Sequence, residues 1–381
     1  MNLQEVFAAQ FSGAPTWSVR SPGRVNLIGE HVDYNDGFVL PMAVSLQTEF
    51  LIRERTDSTV ILHSPIFGET RSFDLNAPAK TDSWIDYAQG VAVQLAAAGV
   101  PLTGFEGAVT SNIPLASGLS SSASFEVGVA IALLSLAGAS WPAPEVALLC
   151  QRAENQFVGV NCGIMDQMAV AACTAGHALL LDCRSIGLRQ VPFQLAEHVV
   201  IVTDSAAPRE LASSAYNERR AQCEAGLAIL QEFYPEAKAL RDITPAQVES
   251  HADALPPVVL ARVRHIVGEI ARTLQAVSEL EAGALAAFGE RMNESHYSLR
   301  DLYAVSSAEL DWLTDWARNR PGVLGSRMTG AGFGGCTVSL VEKGAAETFV
   351  AELPPAYRAA MGREARSWIC DAEPGASATK L

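Results

Sequence analysis

Lysine is almost missing from these 381 residues: four occur, Lys80, Lys238, Lys343 and Lys380. No G-x-x-x-x-G-K-[ST] run exists, which excludes a Walker-type nucleotide loop. Any phosphate held here must therefore rest on backbone N–H groups, arginine and a divalent cation. Cations are scarce overall. Lys and Arg number 27 against 42 Asp and Glu, leaving a net charge of −15. Nucleic acid and anionic membranes ask for a basic face, so neither is expected as a partner. The seven cysteines (Cys150, Cys162, Cys173, Cys183, Cys223, Cys336, Cys370) form no C-x-x-C pair. Their odd number reads as buried free thiols in a reducing cytoplasm. Long hydrophobic runs are missing too. The longest, Val127 to Trp141, is interrupted by Gly128, Ser135, Gly138 and Ser140, too short and mixed to span a bilayer. Met1-Asn2-Leu3-Gln4-Glu5 offers no basic n-region, so no secretory signal is expected. These absences together predict a soluble cytoplasmic protein.

What is present supports a sizeable core. Apolar residues make up 49% and charged ones 18%, and the length suits about two domains. Leu3 to Phe11 has amphipathic helical spacing. β-like runs follow at Trp17 to Arg20, Val25 to Ile28, Phe38 to Val44, Gln47 to Ile52 and Val60 to His63. Trp84 to Ala98 reads as helix and Phe105 to Ser111 as strand. A turn at Pro114 to Gly118 leads into a helix from about Leu119 to Leu136, and another spans Glu145 to Phe157. Ala178 to Leu181 and His198 to Thr203 look like buried strands. Helical texture then dominates over Ser213 to Phe233, Pro257 to Leu274, Leu285 to Ala304 and Ala308 to Arg318. Cys336 to Val341 returns to strand, with a helix around Ala346. The change of texture near residue 195 divides the chain into 1–195 and 196–381. Strands and helices mix without strict βαβ alternation, so an α+β fold is expected.

Three glycine- and serine-punctuated stretches let backbone approach a ligand closely: Gly23 to Asn35, Pro114 to Ser124 and Gly325 to Gly335. In the second, Gly118 permits a turn, and Ser120, Ser121 and Ser122 stand where a helix begins. Serine hydroxyls cap such starts, and the unpaired N–H groups there attract anions. A capped structural helix and a phosphate site both fit this pattern. The third stretch contains Gly330-Ala331-Gly332-Phe333-Gly334-Gly335, a G-x-G-x-x-G match that runs into a β-like segment rather than opening a helix. It is not a dinucleotide fingerprint. Six glycines between Gly322 and Gly335 mark a loop with unusual φ or a close backbone approach.

In order and wording the three stretches resemble the galactokinase family, within the superfamily of galactokinase, homoserine kinase, mevalonate kinase and phosphomevalonate kinase. Gly23-Arg24-Val25-Asn26-Leu27-Ile28-Gly29-Glu30-His31-Val32-Asp33-Tyr34-Asn35 is similar to that family's long signature. Ala153 to Gly159, Cys162 to Gln167 and Leu211 to Arg220 agree as well. The resemblance runs from about residue 15 to 340. It implies a two-domain fold, the first domain like that of a ribosomal protein and the second ferredoxin-like, with the site in the cleft between them. It implies transfer of the γ-phosphate of ATP to the anomeric hydroxyl of galactose, with Mg²⁺, the first committed step of galactose catabolism, by a monomer. Residue by residue, Asp166 matches the base and Arg24 the cation beside it. Glu30, His31, Val32, Asp33, Gly163 and Tyr216 fall at positions that bind the sugar, together with Asp166. Ala116, Ser117, Gly118, Leu119, Ser120, Ser121 and Ser122 match the nucleotide phosphate loop, Ser122 and Glu154 the metal ligands, and Trp84 a place near the adenine.

The chemistry agrees with that resemblance. Phosphoryl transfer asks mainly for alignment and charge neutralisation. A neutral hexose presents hydroxyls that carboxylates such as Glu30 and Asp33 accept from. The chain also departs from the family's pattern. Ala116 replaces the first glycine of the phosphate loop and Ala331 a central glycine of the third stretch, which bears on nucleotide affinity. Pro208 stands at a commonly basic place, and Leu302 and Ala304 at commonly acidic ones. A galactose and ATP sensor without catalysis, and a kinase for arabinose or N-acetylgalactosamine, are the alternatives. The complete Ser120-Ser121-Ser122-Ala123-Ser124 run speaks against the sensor.

Overall fold

The computed structural model describes residues 2–115, 117–193, 195, 197–208 and 212–381. Its largest sheet has six strands in the order Ser377–Lys380, Trp17–Asn26, Pro41–Glu54, Phe105–Ser111, Thr59–Ser64 and Glu69–Asp74. All neighbours are antiparallel except Thr59–Ser64 with Phe105–Ser111. The helices Ile85–Ala97, Ser121–Leu136 and Ala143–Ala153 cover one face, burying Val19, Phe50, Ile52, Val127 and Leu133 among others. A four-stranded antiparallel sheet follows the order Val323–Thr329, Cys336–Glu342, His198–Asp204 and Arg366–Cys370. Its apolar positions pack against Leu285–Ser298, Ala308–Arg318 and Lys343–Met361. A small sheet of Phe38–Val39, His177–Asp182 and Gly187–Pro192 lies beside the first. The mixture is α+β, as expected. Residue 195 falls between Gly187–Pro192 and His198–Asp204, which belong to different sheets, while Ser377–Lys380 returns to edge the first sheet.

Several expected elements fuse or change ends. Trp17 to Arg20 and Val25 to Ile28 form one strand, Trp17–Asn26, whose register with its partner shifts between Pro22, opposite Gln47, and Gly23, opposite Val44, so that the extra residues of the bulge, Ser45 and Leu46, lie on the partner. Its partner Pro41–Glu54 likewise runs through the gap expected at Ser45 and Leu46. The first half of the third glycine stretch is strand, Val323–Thr329, which leaves the loop to 330–335. Glu69–Asp74, Arg366–Cys370 and Ser377–Lys380 escaped the reading because they lie at sheet edges and carry polar side chains. Two helices end in a π turn. Ala143–Ala153 continues into Glu154–Val158, and Leu285–Ser298 into Leu299–Tyr303; each turn is closed by a left-handed residue, Gly159 and Ala304.

One close approach joins the first two stretches. A Cβ built on Gly23 would lie 2.9 Å from the Leu119 carbonyl oxygen and 3.2 Å from Ile113 Cδ1. The same carbonyl accepts from the Arg24 amide at 3.2 Å. Ser124, fully buried one turn into its helix, donates to the Ser21 carbonyl at 2.7 Å and lies 2.8 Å from Thr48 Oγ1. The serine-led helix is thus pinned to two strands. Gly23→Ala is expected to lose about 1–3 kcal/mol of stability by overpacking this seam. Urea unfolding checks it, and an unchanged midpoint would mean that the loop can retreat from the strand.

Candidate active site

Seven of the eight residues expected to act on the sugar line one cavity of about 400 Å³. Arg24, Glu30, His31, Asp33, Gly163, Asp166 and Tyr216 are there, together with Cys162, Asn217, Gly330 and Ala331. Arg24 leaves the end of its strand almost fully buried and reaches Asp166, which opens the helix Met165–Ala172. Its Nε and Nη2 donate to Asp166 Oδ1 at 2.8 and 2.6 Å, and its Nη1 to the Gly118 carbonyl at 2.6 Å. Asp166 Oδ2 accepts from Ser120 Oγ at 2.5 Å. Such charge-assisted bonds are short and directional. Oδ1 accepts two bonds and Oδ2 one, so Oδ2 retains a lone pair, and the Asp166 side chain stays 30% exposed to the cavity.

Ser120 corrects one expectation. Its hydroxyl does not cap the helix, which begins at Ser121. Ser120 instead sits in the left-handed region, φ 62°, with its side chain turned to Asp166. A serine held there costs backbone energy. The rest of the serine stretch divides between two sides. Gly118 and Ser120 face Arg24 and Asp166. Ser121 and Ser122 line a smaller, apolar cavity of about 180 Å³ with Phe67, Trp84, Tyr87 and Phe125. The rings of Phe67 and Trp84 stack there at 5.7 Å. Ser117 donates to the Pro114 carbonyl, and the Leu119 side chain is core. Ala116 lies outside the described residues.

At the other end of the larger cavity the acids are unequally paired. Glu30 meets Arg327, which is fully buried, at 2.8 Å; burial raises its carboxyl while Arg327 and Arg24 draw it back. Sequence reasoning missed this partner although it lies in the third stretch, because a buried arginine contradicts the usual surface placement. Among the described residues Asp33 has no such cation. Burial first, then Asp166 and Glu30, push its carboxyl up to about 6. Gly163 makes room for it, since a Cβ there would lie 1.7 Å from Asp33 Oδ2. Val32 does not join the cavity; its side chain is fully buried in the core, and its carbonyl accepts from Asn35 and Gly37. Both ring nitrogens of His31 are engaged by the protein, with Tyr34 and with the Ala331 carbonyl.

Glu154 sits just inside its π turn, 6% exposed. Its Oε2 accepts from Gln167 Nε2 at 2.6 Å and from the Cys162 thiol at 3.3 Å. Gln167 also donates to Glu126 Oε2 at 3.2 Å. Burial first, with Asp166 adding to it, pushes the Glu154 carboxyl up to about 7, and burial also raises Glu126. Among the described residues Glu126 Oε1 has no hydrogen-bond partner. Among the described residues no group of three or more His, Cys, Asp or Glu is placed to hold a metal by itself. Nor, among the described residues, is any helix long and apolar enough to cross a membrane.

Comparison with known proteins adds the following. Residues 5–54 match the family model described as the galactokinase galactose-binding signature. Residues 86–176 and 276–359 match the N-terminal and C-terminal domains of the GHMP kinases. The chain is 46% identical to a galactokinase of Roseiflexus sp. (strain RS-1), over 98% of its own length and 95% of that protein's. It is 43% identical to a galactokinase of Bos taurus, over 93% and 91%. The structure superimposes on Lactococcus lactis galactokinase complexed with galactose at a TM-score of 0.93 and 37% identity, covering 99% and 98% of the two chains.

The raised carboxyl of Asp33 has a measurable cost. Its folded value, about 6, lies above the ordinary 3.8, so ionisation destabilises the fold. That cost is absent below pH 4 and complete above pH 6. Asp33→Asn should therefore be more stable than the parent at pH 8, by up to about 3 kcal/mol at 1.36 kcal/mol per unit. The gap should close as pH falls to 4. Thermal unfolding across this range checks it; a gap independent of pH would contradict the assignment.

Proposed function

We propose how a chain that belongs to the galactokinase family, and so transfers a phosphoryl group from ATP to galactose, uses this cleft. Asp166 takes the proton of the anomeric hydroxyl on the lone pair of Oδ2 that Ser120 leaves free. The sugar oxygen then bonds to the γ-phosphorus as the bond to the β–γ bridging oxygen breaks, and ADP leaves. Arg24 holds Asp166 in place and sets positive charge beside the transferring group, the main electrostatic need of this reaction. The observation that carries this reading is the Arg24–Asp166–Ser120 cluster, open to a cavity of about 400 Å³.

Glu30, Asp33 and Tyr216 bind sugar hydroxyls, with Gly163 and His31 shaping the wall. Asp33 is suited to this because burial holds its carboxyl up and a sugar hydroxyl supplies a donor to it. The backbone from Ser117 to Ser122 holds phosphate. The adenine enters the apolar cavity against Phe67 and Trp84. Ser122 and Glu154 would hold Mg²⁺. Both offer the hard oxygen ligands that ion takes, and the crowding of Glu154 with Glu126 and its unpartnered Oε1 is what a cation relieves. When bound, Mg²⁺ neutralises charge on the ATP phosphates. The reading takes the protein as a monomer, and seven free cysteines suit the cytoplasm.

A coupled ADP-release assay with galactose, arabinose and N-acetylgalactosamine, with the product identified by phosphorus NMR, tests the reading. Galactose 1-phosphate is expected, and no turnover of galactose would defeat it. Asp166→Ala should lower kcat by roughly 10²–10⁴. Arg24→Ala should lower it by about 10²–10³. In both, sugar binding measured by calorimetry should survive. Near-parental turnover by Asp166→Ala would remove that residue from its role.

A further inference from the structure

A line of buried polar groups runs behind the sugar end of the cavity, and its direction can be worked out from one terminus. His31 Nε2 lies 3.2 Å from the Ala331 carbonyl oxygen, which can only accept. The proton is therefore on Nε2. His31 is neutral, since burial lowers its imidazolium to about 3. Nδ1 is then an acceptor, and the Tyr34 hydroxyl, 2.9 Å away, donates to it. Tyr34 has spent its proton, so the Tyr303 hydroxyl at 2.7 Å donates to Tyr34. Tyr303 in turn accepts from the Cys223 thiol at 3.1 Å. Every donor in the line has one proton and one acceptor, so no member can reverse while the Ala331 contact is kept. Bonds ordered in one sense inside a buried site strengthen one another.

The geometry around the line points the same way. His31 is left-handed, φ 62°, which turns its ring toward the glycine loop. Its ring lies 4.9 Å from that of Tyr303 and 5.6 Å from that of Tyr216. Tyr303 ends the π turn Leu299–Tyr303, and Arg219 grips that end by donating to the Tyr303 and Ala304 carbonyls at 2.8 and 3.0 Å. The neighbouring residue is held by the same logic. His265 Nε2 lies 3.3 Å from the Glu30 carbonyl, and its Nδ1 2.8 Å from Ser298 Oγ. On the far side, a Cβ on Gly330 would stand 3.1 Å from the Gly118 carbonyl, which also accepts from Arg24. The 330–335 loop thus bridges the sugar wall and the serine stretch.

We propose that Tyr34 and Tyr303 are positioning residues: they lock His31 as the Nε2–H tautomer, and its ring struts the 330–335 loop over the sugar end of the cavity. The kinetic part rests on the galactokinase reading; the tautomer does not. The seven histidines of the chain can be labelled with ¹⁵N. Long-range proton–nitrogen spectra of the parent protein at pH 7.5, with His31 assigned by the signal lost in His31→Gln, should show Nε2 protonated and Nδ1 bare. Tyr34→Phe should shift the Nδ1 resonance and raise the galactose KM roughly fivefold, the worth of one net hydrogen bond, with the ATP KM changed less than about twofold. A general loss of structure would move both KM values and the unfolding temperature. His31→Gln, whose amide still reaches Ala331, should keep more sugar affinity than His31→Asn, which tolerates the left-handed backbone better but is too short. An Nδ1–H tautomer or an imidazolium in the parent protein overturns the proposal. So does a galactose KM unchanged by Tyr34→Phe, or His31→Asn equalling His31→Gln.

Discussion

The contact between Arg24 and Asp166 sets most of what surrounds it. A guanidinium that is 5% exposed needs its charge met, and Asp166 Oδ1 takes two of its N–H groups while the Gly118 carbonyl takes a third. That single side chain therefore fixes the end of a strand, the start of the helix Met165–Ala172 and the turn before the serine-led helix in one geometry. Breaking a buried pair leaves an uncompensated charge, so the three segments cannot drift apart cheaply. Ser120 completes the arrangement by accepting a left-handed backbone in order to reach Asp166 Oδ2.

Around this pair an acidic chain gathers more acids. Glu30, Asp33, Asp166, Glu154 and Glu126 stand within one region, and burial raises the carboxyls of Glu30, Asp33, Glu126 and Glu154. Such crowding costs stability and makes sense where ligands relieve it. Hydroxyls can donate to the acids of the larger cavity, and a cation suits Glu154. With lysine so scarce, the positive side of the balance is arginine: Arg24 and Arg327 are both buried, each paired to one of these carboxylates. Planar guanidinium groups can meet a carboxylate and a backbone carbonyl at once, which an ammonium does less well.

Much of the fold and most of the cavity were legible in the residues. Alternation marked the central strands, and the spacing around the serine stretch marked its helix. The recognition of Arg24, Glu30, Asp33, Gly163, Asp166 and Tyr216 as neighbours came from wording shared with a family, since no local rule joins positions 142 residues apart. What stayed hidden has physical reasons. Val32 alternates with cavity residues in the chain but turns into the core. Ser120 looked like a cap, because hydroxyl position follows backbone φ, which composition does not reveal. Arg327 and Tyr303 act through partners far away in sequence, and Gln167 through the buried carboxylates Glu126 and Glu154. The edge strands lacked the apolar alternation that burial on one face writes into a sequence.

The amino-acid order by itself determined the α+β class, the absence of a lysine phosphate loop and the inventory of groups available for phosphoryl transfer. The first two follow from composition, periodicity and residue chemistry, all local properties, and the third from the resemblance of its motifs to those of a family. Tertiary structure alone decided which carboxylate is paired, which groups meet the ring nitrogens of His31 and which serine faces Asp166 rather than a helix end. Those outcomes depend on distances of about 3 Å between segments hundreds of residues apart, where hydrogen bonding and desolvation are settled by packing.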